Sequence, residues 1–373
     1  MKEIMTFKSG KFYLCDIYDE AKINNLLMRA TVLNETVVDL PILPELSSRL
    51  EPDIMYSSIS GTAMIEGNAI TGEDVKRIAA GEDIVNYTQK DKQEIKNLIN
   101  AYNWLSSIEP ADEPFTLTEE IIKELHKIIT SNVLLENNIP GQYRNEMVYV
   151  GDKAHGGKYT PPKILADIKN LMTEFVSWIN SEEIKTLNPF IRAALAHYHF
   201  CLIHPFADGN GRTARIIEAL LLQTSNIKYV PKEISNYYYR NVDDYYISFS
   251  KSINLKKNIT PFVEFMLKAS VESLQGIKES IVYFIRKFTL KDFYAFEKKE
   301  QRITRRQFDL LLLLLDNQAP FSLKDLTEKS PFSILYRRVS TQTARRDLKK
   351  LTEKNILHIS DGNKYSLNLR ALG

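Results

Sequence analysis

Two cysteines in 373 residues, Cys15 and Cys201, are too few for a disulfide framework. With no C-x-x-C pair either, they point to a reducing, cytosolic compartment. Long apolar runs are also missing. The longest run of leucines, Leu310 to Leu315, is far short of a membrane span. The opening segment MKEIMTFKSGKFYLCDIYDE carries charges every few residues and has no apolar h-region, so no signal peptide is expected there. Repeats and low-complexity tracts are absent as well. These absences lead to the expectation of a soluble, cytoplasmic protein with no membrane partner.

What is present fits a globular chain: 44% hydrophobic and 26% charged residues, with room for two or three domains. Net charge is only +2, but it is unevenly spread. From Arg302 to Gly373 fourteen Lys+Arg face seven Asp+Glu, a net of +7, so the remainder carries −5. A basic tail on an acidic body suggests two jobs. The expected organisation is a helical region over 1–105, a core over 106–288, a linker at 289–301 and a basic domain at 302–373.

Periodicity places the elements. Thr71 with Asp74 reads as the N-cap of a helix holding Val75, Ile78 and Ala79. The polar joint ADEPFTLTEE precedes a helix with Ile121, Ile122, Leu125, Ile128 and Ile129 on one face. Residues 138–162 are rich in turn formers around Val148-Tyr149-Val150 and read as a short β-hairpin. Helices are expected at 163–180, 188–203 and 212–224, followed by a tyrosine-rich stretch and more helix to about 288.

The chemistry concentrates in HPFADGNGRTAR, residues 204–215. Pro205 disfavours the helical conformation at His204, so the preceding helix gives out there. Asp208-Gly209-Asn210-Gly211 is turn chemistry, and a second apolar helix starts near Arg212. The arrangement is helix, tight glycine loop, helix, with backbone N–H groups at a helix N-terminus. Arg212 and Arg215 share a face of the first turn, where cations oppose the helix dipole unless an anion sits between them. Asp208 is a hard ligand suited to Mg²⁺. His204 is the one group in the loop able to take a proton near neutral pH. Read one at a time, these residues fit a buried helix hairpin with a structural histidine and two surface arginines.

Taken together, the string resembles the signature of the Fic family, His-Pro-Phe-x-Asp/Glu-Gly-Asn-Gly-Arg-x-x-Arg, without departures. The resemblance implies a mainly α Fic core that transfers AMP from ATP to Tyr, Thr or Ser hydroxyls of a target protein, releasing pyrophosphate. His204 would be the general base. Asp208 would bind Mg²⁺, and Gly209, Asn210 and Gly211 would hold the α- and β-phosphates. Arg212 and Arg215 would take the outer phosphates, with Thr213 and Ala214 in the same turn. The segment GQYRNEMVYVG looks like the family's flap, at about 145–162, which puts Val148, Tyr149, Val150 and Gly151 beside the nucleotide. Here the flap is followed by a longer Gly-rich tip, Asp152 to Lys158. Tyr245, Tyr246 and Asn254 match positions near the base.

TAMIEGN, residues 62–68, resembles the family's inhibitory motif through Thr62, Glu66 and Gly67, on a helix expected at about 57–67. The resemblance implies a brake in which Glu66 pairs with Arg215 in a bidentate bridge and excludes the γ-phosphate. The tail at 302–373 resembles a winged helix-turn-helix. Its third helix begins at Ser340-Thr341, buries Ala344, Leu348 and Leu351, and offers Gln342, Arg345, Arg346 and Lys349 for DNA contact. The wing turns at Asp361-Gly362-Asn363. A protein-docking or homodimerising module fits the same residues. Other readings also stay open at this level: a Fic relative transferring UMP, phosphate or phosphocholine, one that removes AMP, or a DNA-binding regulator whose core senses ATP.

Overall fold

Capped helices dominate the computed structural model, which describes residues 1–373 except 43, 112, 135, 136, 361 and 373 and the side chains at 45 and 49. The chain divides into two units, Met1–Lys278 and Glu279–Gly373.

The first unit opens with an antiparallel pair, β1 (Lys2–Met5) and β2 (Lys11–Leu14), with Lys2 opposite Leu14. Helices follow: α1 (Glu20–Asp39), α2 (Pro44–Ile65), α3 (Gly72–Ala79), α4 (Gln89–Ser106) and α5 (Glu119–Thr130). After the flap segment come α6 (Leu165–Ile179), the short α7 (Glu182–Lys185), α8 (Pro189–Ile203) and α9 (Asn210–Gln223). The unit continues through α10 (Ile234–Arg240), α11 (Val242–Asn254) and the start of α12 (Thr260–Lys299). Side-chain caps fix several starts. Thr71 Oγ1 accepts from Asp74 N at 3.3 Å, as expected, and Thr88 with Asp91 forms a reciprocal capping box on α4. Such caps contribute about 1 kcal/mol each.

The expected boundary at residue 105 is not where the chain divides. Ile59, Ile95 and Leu98 share one apolar cluster with Phe200, Ile216 and Leu220, because α2 and α4 bury faces against α9. The expected linker at 289–301 is also corrected. α12 runs to Lys299, and Leu290 and Tyr294, one turn apart, are buried with Leu310, Leu314 and Leu348. Exposed Lys291 and Asp292 hid that apolar pair in the sequence. The β-hairpin expected at 138–162 reduces to a loop closed by a single bridge, Val150 N to Tyr159 O at 2.9 Å and the reverse at 2.7 Å. Gly151, Gly156 and Gly157 all have positive φ, which turns the chain where strands would have continued.

The second unit holds α13 (Arg305–Asp316), α14 (Leu323–Glu328), the short α15 (Ser333–Tyr336) and α16 (Thr341–Glu353). It ends with the antiparallel pair β3 (Leu357–Ser360) and β4 (Lys364–Leu367). Ala344, Leu348 and Leu351 are buried, as their spacing implies. Asp361 of the expected turn lies outside the described residues. Buried Asp347 joins α16 to α13 through Arg306 Nη2 at 2.7 Å and Gln307 Nε2 at 3.3 Å. Among the described residues, no helix is long and apolar enough to cross a membrane.

Candidate active site

The site begins where α8 stops. This helix is buried almost throughout, from Phe190 to Ile203, and packs tightly on α9. His204 leaves it in the left-handed conformation, φ 50° and ψ 57°, with its N–H bonded to Phe200 O at 2.9 Å. The loop then braces itself. Asn210 accepts from Phe206 N at 3.0 Å and donates to Phe206 O at 2.9 Å. Gly209, at φ +78°, caps α9.

Two residues that the sequence did not single out hold this loop from outside. His126 of α5 stacks on Phe206, with ring centroids 3.6 Å apart and planes 3° from parallel. Its Nδ1 accepts from Gly141 N at 2.9 Å, so Nε2 carries the proton and donates to Asp208 O at 3.0 Å. Burial lowers its pKa to about 4, so the ring stays neutral in this role. Arg144, inside the flap segment, is 3% exposed. It donates to His204 O through Nε and to Pro162 O through Nη2, each at 2.8 Å. The flap segment and the backbone at His204 therefore share one guanidinium.

The His204 ring points Nδ1 at Cys201 O, 3.3 Å away. A carbonyl can only accept, so that contact places the proton on Nδ1 and leaves Nε2 as an acceptor. Burial pushes the His204 pKa down to about 4, which keeps the ring neutral at pH 7.

Arg215 is buried and held on several sides. Its Nε donates to Thr62 Oγ1 at 2.5 Å, and its Nη2 to Thr62 O at 3.2 Å and Glu66 Oε1 at 2.6 Å. The expected bidentate bridge is thus corrected. Thr62 takes the Nε position, and Glu66 meets the guanidinium through one oxygen. Glu66 lies just past the end of α2, where Gly67 turns the chain at φ +89°; the helix runs Pro44–Ile65, starting well before the expected 57 and ending two residues short of the expected 67. Gly211 makes room for it: a Cβ there would run into Glu66 Oε1.

Arg212 differs from expectation too. It is 4% exposed and paired with Glu94 Oε1 at 3.1 Å and Asp208 Oδ1 at 3.0 Å, so it braces α9 to α4. Thr213 and Ala214 are fully buried, facing away from solvent. Asp208 keeps Oδ2 without a hydrogen bond to a described residue, its Oδ1 being taken by Arg212 and Gly209 N. Among the described residues, no group of three or more His, Cys, Asp and Glu side chains stands ready for a metal. One hard carboxylate oxygen suits magnesium, which keeps waters and phosphate oxygens as its other ligands.

A cavity of about 500 Å³ brings Glu66, His204, Gly211 and Arg215 together with Tyr149, Val150 and Gly151 of the flap and Tyr245, Tyr246 and Asn254 of α11. Val148, Thr62, Gly67 and the side chains from Asp208 to Asn210 do not line it. Beneath it runs a buried relay. Tyr245 Oη lies 3.5 Å from Arg215 Nη1 and 2.9 Å from His197 Nε2, while His197 Nδ1 meets Glu218, which also accepts from Tyr238 Oη at 2.7 Å.

Residues 116–222 match the family model described as Fic/DOC family. The chain is 31% identical over 229 residues to the Drosophila melanogaster protein named protein adenylyltransferase Fic, covering 61% of this chain and 42% of that protein. Similarity to protein adenylyltransferase fic-1 of Caenorhabditis elegans is 28% over 233 residues, with the same coverage. The chain thus spans less than half the length of these curated relatives. A crystal structure of a Fic family protein from Desulfovibrio desulfuricans shares the fold, with a TM-score of 0.61 at 20% identity, covering 95% of this chain and 98% of that one. The solved Fic-1 of C. elegans gives a TM-score of 0.56 at 25% identity, covering 70% and 73%.

Proposed function

We propose, for a chain whose residues 116–222 form a Fic/DOC family domain, that it transfers AMP from ATP to a hydroxyl of a target protein and that Glu66 restrains this activity. The observation that carries the reading is the joint placement of a neutral His204 and a Glu66-capped Arg215 on one cavity. One residue is set to accept a proton. The other is a buried cation whose anion-binding edge is already filled.

In the proposed reaction His204 Nε2 takes the proton of the target hydroxyl as its oxygen bonds to the α-phosphorus. The bond to the pyrophosphate oxygen breaks, and pyrophosphate carries the electron pair away. Arg215 binds the γ-phosphate, and the backbone N–H groups at the start of α9 meet the inner phosphates. Asp208 Oδ2 would hold Mg²⁺, whose charge offsets that of the phosphates. Tyr246 and Asn254 would flank the base. Arg212 is assigned to the scaffold here, since Glu94 and Asp208 already satisfy it. While Glu66 occupies Arg215, the γ-phosphate cannot settle on that guanidinium. The experiment is incubation of the chain with α-labelled ATP, Mg²⁺ and a cell lysate, followed by mass spectrometry of labelled peptides. Label on proteins that vanishes with His204→Ala supports the reading; label that persists in His204→Ala, or none from either the parent or Glu66→Gly, overturns it.

A second reading concerns Glu279–Gly373. Gln342, Arg345, Arg346 and Lys349 are all exposed on one helix, α16, whose opposite face is buried. That supports a winged helix-turn-helix that binds duplex DNA through α16.

A further inference from the structure

The flap tip, residues 152–158, is a built turn with attachments outside itself. Asp152 Oδ1 accepts from Ala154 N at 2.8 Å and His155 N at 3.1 Å, and Gly157 N donates to Asp152 O at 2.8 Å. The tip reaches α11 at two points. His155 Nε2 lies 3.1 Å from Asp243 Oδ1, and Ser250 donates its hydroxyl hydrogen to His155 O. Gly156 passes so close to Ser250 that a Cβ would come within 2.7 Å of Ser250 Cβ. His155 also packs on Tyr246, with ring centroids 5.2 Å apart, and both line the cavity.

The second nitrogen makes the arrangement conditional. His155 Nδ1 lies 2.8 Å from Asp152 Oδ2, so each ring nitrogen faces a carboxylate. A neutral imidazole donates from one nitrogen and presents a lone pair from the other. Only the imidazolium satisfies both contacts. Among the described residues the charged groups meeting this ring are Asp152 on its own loop and Asp243 on α11, with the Tyr246 ring beside it.

We propose that His155 is a positioning residue that, when protonated, clasps the flap tip onto α11 and so closes the end of the cavity lined by Tyr246. The clasp follows from the geometry alone, and its effect on ATP rests on the function proposed above. Hydrogen bonding to Asp152 and then Asp243 raises the His155 pKa above its ordinary 6.5. The clasp is therefore complete below about pH 6.5 and is lost as pH rises through the raised value.

The test uses the full chain, with amide exchange of the tip peptides followed by mass spectrometry at about pH 6 and about pH 8, corrected for intrinsic rates. The parent should protect the tip about two- to fivefold more at the lower pH, the size typical of exposed ion pairs. His155→Gln and Asp243→Asn, both at the surface, should each erase that difference. Equal protection at both pH values, or a difference that persists in either variant, overturns the clasp. In a second arm, calorimetry with ATP in a Glu66→Gly background should show His155→Gln weakening affinity at the lower pH only. If exchange responds and ATP affinity does not, the closing role is wrong. If the background binds no ATP at all, the nucleotide reading fails while the exchange result still decides the clasp.

Discussion

Arg212 is held by Glu94, Nη1 to Oε1 at 3.1 Å, although the two residues lie on different helices far apart in sequence. Both side chains are buried, so each charge depends on the other for compensation. Removing one partner from such a pair costs about 3–5 kcal/mol. Asp208, the second partner of Arg212, is half exposed and compensates only in part. Glu94→Ala should therefore destabilise the fold by about 3 kcal/mol, read from urea denaturation. Asp208→Ala should lose activity while costing much less stability. Equal stability losses in the two variants would contradict the scaffold role given to Arg212.

This pair also marks the limit of what the sequence conveys. The helix, loop and helix around residues 189–223 were legible because every determinant is local: Pro205, the glycines and the apolar faces. Thr71 as a cap and the buried face of α16 were legible for the same reason. Glu94, His126 and Arg144 were not, because each acts on the loop from another element; Arg144 lies in the flap segment, but nothing local there marks its bond to His204 O. The flap failed as a hairpin because its glycines turn the chain where Val148 to Val150 suggested a strand. The region 289–301 failed as a linker because exposed charges outnumber the buried pair Leu290 and Tyr294.

His204→Ala should reduce AMP incorporation about 10²–10⁴-fold, the usual cost of losing a general base, while ATP binding survives. Because burial holds the His204 pKa near 4, the acid limb of the parent's kcat/KM profile should fall well below pH 6.5. Labelling at parental level by the variant, or an acid limb at the ordinary histidine value, would show that His204 is not the base.

Stability should respond to acid in a defined window. His126, His199 and His204 are each lowered to about 4 by burial from an ordinary 6.5. The unfolded chain then binds more protons than the folded chain between those values. Stability is full above about pH 6.5 and falls toward about pH 4, each histidine adding a slope of about 1.4 kcal/mol per pH unit. Denaturant midpoints measured across that range check this. A midpoint that holds constant from pH 6.5 to 4.5 would contradict the burial argument.

For the second unit, binding of duplex DNA by the full chain should weaken with salt, with a log–log slope near −0.9 per phosphate contact. Arg345→Ala with Arg346→Ala should flatten it by about two contacts. Fluorescence anisotropy across a salt series supplies the slopes. An unchanged slope would remove α16 from the interface, and no binding with dimerisation in ultracentrifugation would favour the docking role.

The central claim is that Glu66 restrains the site by holding Arg215. The most direct measurement is labelling by α-labelled ATP, self-modification included, in the parent, Glu66→Gly, Glu66→Gly/His204→Ala and Glu66→Gly/Arg215→Ala. A charge-assisted contact of this kind is worth about 1.5–3 kcal/mol, so Glu66→Gly should raise labelling roughly ten- to hundredfold. The gain should vanish with His204→Ala and fall with Arg215→Ala. Labelling that drops in Glu66→Gly would mean that Glu66 supports the active site, and the account of a brake would be wrong.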